Sequence, residues 1–129
     1  MEGALKIKEI SYVHAEAFAA GELKHGSIAL IDKGTPVVAI ATQGKLFEKM
    51  VSNMQEVRAR GARVIAITQE GNTEVEKSAD RVIYIPKVDD MFASITAVVP
   101  MQLLAYHASN IRGLDVDKPR NLAKSVTVE

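Results

Sequence analysis

PVVAIATQGKLFEKMVSNMQEVRARGARVIAI, residues 36–67, decides the architecture of this chain. It opens on Val37-Val38-Ala39-Ile40-Ala41, an apolar run without polar alternation, as a strand covered on both faces requires. Thr42-Gln43-Gly44 closes that run. Lys45 to Gly61 follows as an amphipathic helix, with Leu46, Met50, Met54 and Val57 at spacings of four, four and three. Arg63 to Ile67 is a second β-branched run. Strand, helix and strand in succession predict a parallel α/β unit, of the kind found in doubly wound sheets.

Working outward, Arg81 to Ile85 reads as a third buried-type strand, ended by Pro86, and Thr73 to Ala79 as one or two turns of helix. Met91 to Ile111 is long and mainly apolar, which predicts a helix, with a kink or a lost helical bond at Pro100. Gly113 closes it, and residues 114–129 form a tail with no clear period. On the other side, Glu2 to Gly21 reads as one long helix, followed by a polar connection and a short extended piece from Ser27 to Ile31. Three strands make a thin sheet for a covered α/β fold, which usually has about five. The opening helix has no capping residue before it. Both features lead to the expectation of a part of a larger unit, or of a chain that completes its core with a partner.

The 129 residues suffice for one domain with a hydrophobic core. Hydrophobic residues make up 47%, charged residues 25%, and the formal net charge is zero, a globular balance. Neutrality and the lack of a dense Lys/Arg patch give no reason to expect nucleic acid as a partner. Without cysteine there is no disulfide, thiolate metal site or cysteine nucleophile within the sequence. The longest apolar stretch is too short to span a bilayer, and Glu2, Lys6, Lys8 and Glu9 interrupt any signal-peptide core. The expected location is cytoplasmic.

Candidate chemistry is sparse. No glycine-rich nucleotide loop is present, no cofactor is implied, and the three histidines show no metal-ligand spacing. At 100 degrees per residue Glu2, Lys6 and Glu9 fall within about 60 degrees of one another. Two carboxylates and an ammonium on one face suit proton transfer on a polar substrate, and equally suit ordinary helix pairing. His14 and His107 sit in apolar helical contexts and read as packed or interfacial. His25, between Gly21 and Gly26, can project from a turn and exchange a proton near neutrality, or be an ordinary loop histidine. Lys124, in the tail, is either solvated or an imine-forming nucleophile in a partly desolvated pocket.

The stretches EGALKIKEISYVHAEAFAAGELKHGSIALID (residues 2–32), PMQLLAYHASNIRG (100–113) and DVDKPRNLAKSVTVE (115–129) resemble the C-terminal end of the glutamine–fructose-6-phosphate aminotransferase family. That resemblance implies a glutaminase domain followed by two sugar-isomerase (SIS) domains. It places residues 1–129 in the later part of the second, a three-layer α/β/α fold around a parallel sheet truncated here to about three main strands. The tail, residues 114–129, would be an active-site segment. The resemblance gives Glu9, in KEIS, the proton transfer between C1 and C2, and gives Glu2 and Lys6 places along the sugar site. His25, in ELKHG, would assist ring opening in a neighbouring subunit's site. Lys124 would form an imine with the open-chain ketose, and Ala123 would offer its carbonyl to the sugar. Ser27 departs from the proline expected after Gly26, which alters a turn and no catalytic group.

The implied partners are fructose 6-phosphate and glucosamine 6-phosphate, with a second copy of the chain or the remaining SIS and glutaminase portions. The isolated chain is expected to be inactive. An isomerase half-domain acting with a separate chain, and a nonenzymatic sugar-phosphate-binding SIS module, are the alternatives.

Overall fold

Val37, Ala39 and Ala41 point to one side of strand β1 (Pro36–Ala41), because successive side chains on a strand alternate between faces. A computed structural model describes residues 1–120 and Leu122. In it β1 pairs in parallel with β2 (Arg63–Gln69), and β2 with β3 (Arg81–Ile85), in the order β1-β2-β3. The register sets Ala39 opposite Ala66 and Ala66 opposite Val82. The parallel α/β architecture expected from residues 36–67 is therefore present, and β2 runs two residues beyond Ile67.

Small residues on the β1 and β2 face let a helix approach closely. Helix α2 (Phe47–Ala59) lies in one cluster with them, through Val51, Met54 and Val57 packed with Ala39, Ala41, Val64 and Ala66. Full burial of side chains the size of Met54 and Val57 is worth about 1.5–3 kcal/mol each. The turn back to β2 depends on Gly61 at φ 94°. A Cβ there would meet Lys33 Cα at 3.0 Å, while the Gly61 carbonyl accepts the Gly34 N–H at 2.8 Å. Asp80 fixes the start of β2, accepting the Val64 N–H at 2.7 Å and donating its own N–H to the Val64 carbonyl at 2.8 Å.

At the carboxyl ends of the strands the buried polar groups satisfy one another. Thr68 Oγ1 donates to the Ala41 carbonyl at 2.8 Å. Gln69 Nε2 donates to the Thr42 carbonyl at 2.9 Å, and Gln69 Oε1 accepts the Val88 N–H at 3.0 Å. One buried amide thus ties the loops after β1 and β3 together.

The chain divides into two compact units, residues 18–100 and residues 1–17 with 101–129. Helix α3 (Ala93–Ile111) crosses that division at Pro100 and continues through it. The effect of the proline is the missing N–H donor for the Thr96 carbonyl, one of the two outcomes anticipated. No helix among the described residues is long and apolar enough to cross a membrane.

Three local expectations are corrected. The predicted helix from Glu2 to Gly21 ends early: α1 (Glu2–Lys6) passes into a single π-helical turn, Ile7–Ser11, and stops at Tyr12, which is left-handed at φ 56°. Ala17 and Phe18, expected within that helix, lie outside it. Ser27–Leu30 is a 3-10 turn and not an extended piece, its Ala29 N–H bonded back to the Gly26 carbonyl. His14 and His107 are both exposed and not buried in a core, the first because the helix ended before it.

Candidate functional site

The first turn of α1 begins unsupported by a side-chain cap, so its position is set by packing. Gly3 is buried against Met101 of α3, and a Cβ at Gly3 would lie 2.5 Å from Met101 Cε and 2.9 Å from Met101 Cβ. The π turn that follows is held by two hydroxyls. Ser11 Oγ donates to the Ile7 carbonyl at 2.7 Å, and Ser109 Oγ, from α3, donates to the Ile10 carbonyl at 2.7 Å. Both serines are fully buried. Single π turns inside helices are rare and occur often at functional sites.

On this support the acid–lysine–acid trio forms. Lys6 Nζ lies 2.5 Å from Glu9 Oε2 and 3.7 Å from Glu2 Oε1. The Lys6 ammonium is held above the ordinary lysine value of 10.5, chiefly by its hydrogen bond to Glu9, with partial burial acting against it and the two carboxylate charges adding to the rise. Glu9 keeps 26% of its side chain accessible, enough for a substrate to reach the carboxylate.

Glu9 also lines an open groove of about 490 Å³, together with Lys8, Tyr12, His14 and Arg120. The hydroxyl of Tyr12 accepts the Arg120 N–H at 2.7 Å, and the Arg120 guanidinium carbon lies 4.2 Å from the centre of the Tyr12 ring. His14 is 3.5 Å from Glu16 Oε1. Among the described residues no group of three His, Cys, Asp or Glu stands close enough to hold a metal ion.

Of the residues singled out in the sequence, Glu2, Lys6 and Glu9 are brought together. His25 belongs to the other unit, as the exposed last residue of the 3-10 turn Ala20–His25, next to Gly26. Ala123 and Lys124 lie outside the described residues. Tyr12 and Arg120 were missed. Nothing in the sequence marks a tyrosine as left-handed, and Arg120 carried no signal beyond its place after Pro119.

The family description that matches is the SIS domain, over residues 1–112. The glutamine–fructose-6-phosphate aminotransferase of Thermus thermophilus is 63% identical over 128 residues, 99% of this chain and 21% of the relative. That of Clostridium acetobutylicum is 61% identical over 129 residues, all of this chain and 21% of the relative. This chain thus spans about a fifth of the length of these relatives. Among solved structures, the C-terminal domain of the Francisella tularensis glucosamine-fructose-6-phosphate aminotransferase superposes with a TM-score of 0.81 at 43% identity, covering 90% of this chain and 33% of that one.

Proposed function

The chain belongs to the SIS-domain family, and on that premise we propose that it supplies sugar-isomerising groups to a glutamine–fructose-6-phosphate aminotransferase. The parent reaction converts fructose 6-phosphate and glutamine to glucosamine 6-phosphate and glutamate. The observation that carries the reading is Glu9, paired with Lys6, on the wall of an accessible groove, in a sequence so similar to those aminotransferases.

The chemistry needs three things in order. The cyclic sugar must open, and His25, offered to the site of a neighbouring copy, assists the proton movement that opens it. An imine at C2 then makes the C1 hydrogen acidic; the Lys124 amine forms it by attack on the open-chain ketone with loss of water. Ammonia released from glutamine displaces the lysine amine from C2, and Glu9 takes the proton from C1 and returns it at C2 while the C1 hydroxyl gives up its proton to leave the aldehyde. Lys6 holds the Glu9 carboxylate by a charge-assisted hydrogen bond, while Glu2, Lys6 and the Ala123 carbonyl bind sugar hydroxyls. Residues 1–129 form the later part of an SIS domain, with 114–129 as its active-site segment. The chain by itself makes little or no glucosamine 6-phosphate, with glutamine or with ammonium.

The test is a full-length aminotransferase carrying this segment, with Glu9→Gln. Loss of a positioned general base lowers the rate of glucosamine 6-phosphate formation about 10²- to 10⁴-fold. Unchanged turnover at saturating fructose 6-phosphate overturns the assignment.

A further inference from the structure

Glu9 sits in the π turn that ends its helix, and the carbonyls of Ile7 and Ile10, on either side of it in the chain, each accept a buried hydroxyl. Ser11 Oγ donates to the first and Ser109 Oγ, from α3, to the second, both at 2.7 Å. Neither serine exposes any surface. The two bonds answer different needs. A helix leaves its last carbonyls without intrahelical donors, and the left-handed Tyr12 ends this one at Ser11. Ile10 is therefore served from elsewhere, by a serine 99 positions away. Ser11 instead bonds back four residues within the turn, a contact that often bends helices. Here the turn has opened to the π form. An opened turn advances successive side chains by less than the roughly 100° per residue of an α-helix. The direction in which Glu9 points thus depends on how the turn is held.

That direction is the one that matters for chemistry. Glu9 meets Lys6 and lines the groove with 26% of its side chain accessible. Neither serine lines the groove, so any effect of theirs on a substrate passes through the backbone of the turn. Reacting groups work when supporting bonds hold them within about half an ångström of the productive geometry. We propose that Ser11 and Ser109 are positioning residues for Glu9, the first shaping the π turn and the second fixing it against α3. The proposal rests on the functional reading above, in which Glu9 moves the proton between C1 and C2. Both hydroxyls also meet a simpler demand, since a buried carbonyl without a donor costs stability. The two roles separate in kinetics. An aiming group acts only through Glu9, whereas a stabilising group acts whether or not residue 9 can take a proton.

The test is a double-mutant cycle in a full-length aminotransferase carrying this segment, with Ser109→Ala, Glu9→Gln and the pair. Glucosamine 6-phosphate formation is measured against fructose 6-phosphate concentration and corrected for the folded fraction. A misplacement of about 1 Å costs up to about 100-fold. Ser109→Ala is therefore expected to lower kcat about 10- to 100-fold, with KM for fructose 6-phosphate little changed. In the Glu9→Gln background the same substitution changes kcat by less than about twofold, because the group it aims is already gone. Ser11→Ala leaves the tether to α3 in place, follows the same pattern, and carries the test if Ser109→Ala does not fold. A kcat equal to the parent's, in a variant that folds, overturns the role of that serine. Equal losses in the parent and Glu9→Gln backgrounds overturn the aiming role, and both results leave the functional reading standing. Undiminished turnover in Glu9→Gln alone overturns that reading of Glu9, and the positioning role with it.

Discussion

Ser109 Oγ donates a hydrogen bond of 2.7 Å to the carbonyl oxygen of Ile10, so α3 holds the turn that carries Glu9. The serine is fully buried, and the carbonyl it serves belongs to a π turn. Ser109→Ala removes the donor and leaves that oxygen unsatisfied, at a cost of about 1–3 kcal/mol. Denaturant unfolding of the parent and the variant measures the difference. A midpoint shift too small to resolve would show that water or a relaxed turn replaces the serine.

Gly3 lies against Met101 so tightly that any side chain must displace it. Gly3→Ala overpacks the contact and costs about 1–3 kcal/mol. Because Met101 is the obstacle, Gly3→Ala combined with Met101→Ala destabilises by less than the sum of the two single changes. A double-mutant cycle by thermal or denaturant unfolding reads the coupling directly. Simple additivity would place the cost of Gly3→Ala elsewhere.

Much of this arrangement was legible in the sequence and part was not, for definable reasons. The strands came through because Val37–Ala41, Arg63–Ile67 and Arg81–Ile85 are short β-branched or apolar runs bounded by glycine or proline. Helix α2 came through because Met50, Met54 and Val57 repeat on one face. The trio at Glu2, Lys6 and Glu9 survived because five residues of regular helix and the start of a wider turn still leave Lys6 and Glu9 adjacent. The end of that helix was invisible. Ala15, Ala17, Ala19 and Ala20 are good helix formers, and a left-handed tyrosine has no sequence signature when it is selected by a partner as distant as Arg120.

Gln69 joins two loops through one buried amide, donating to the Thr42 carbonyl and accepting from the Val88 N–H. Gln69→Leu preserves volume and deletes both bonds, leaving a buried carbonyl without this donor and an amide without this acceptor. The expected loss is about 2–6 kcal/mol, since each orphaned group costs about 1–3 kcal/mol. Gln69→Glu is a sharper probe: it keeps the acceptor for Val88 and replaces the donor with a charge facing a carbonyl. Unfolding curves for both variants should show equal or larger losses for the glutamate at neutral pH.

The Lys6 ammonium gives a pH dependence whose sign is fixed. Its folded-state value is raised above 10.5, mainly by the hydrogen bond to Glu9. The stabilisation is therefore complete below 10.5 and is lost as pH rises through the higher folded value. The side chain is about one-third exposed, and solvent screening limits the pair to about 0.2–1 kcal/mol. Lys6→Met removes the effect. The difference in unfolding midpoint between parent and variant is constant from neutral pH to about 10 and shrinks above it, beyond the ordinary lysine range. A gap that widened on going alkaline would contradict the ion pair as the source.

The sheet face away from α2 remains partly uncovered. Ile40 of β1 and Ile83 of β3 flank Ile67 on that face and keep 40% and 41% of their surface exposed. Parallel sheets are ordinarily covered on both faces. In the same unit Ile95 and Val99, one helical turn apart on α3, are also exposed. Exposed apolar surface drives association in water at about 25 cal/mol for each Å² buried. The chain is therefore expected to self-associate in a concentration-dependent way, and Ile40→Lys with Ile95→Glu weakens the association without touching the α2-side core. Sedimentation velocity across a wide concentration range distinguishes the outcomes. A sharp monomer boundary at every concentration, unchanged by these substitutions, would mean that the exposed isoleucines are too dispersed to hold a second surface.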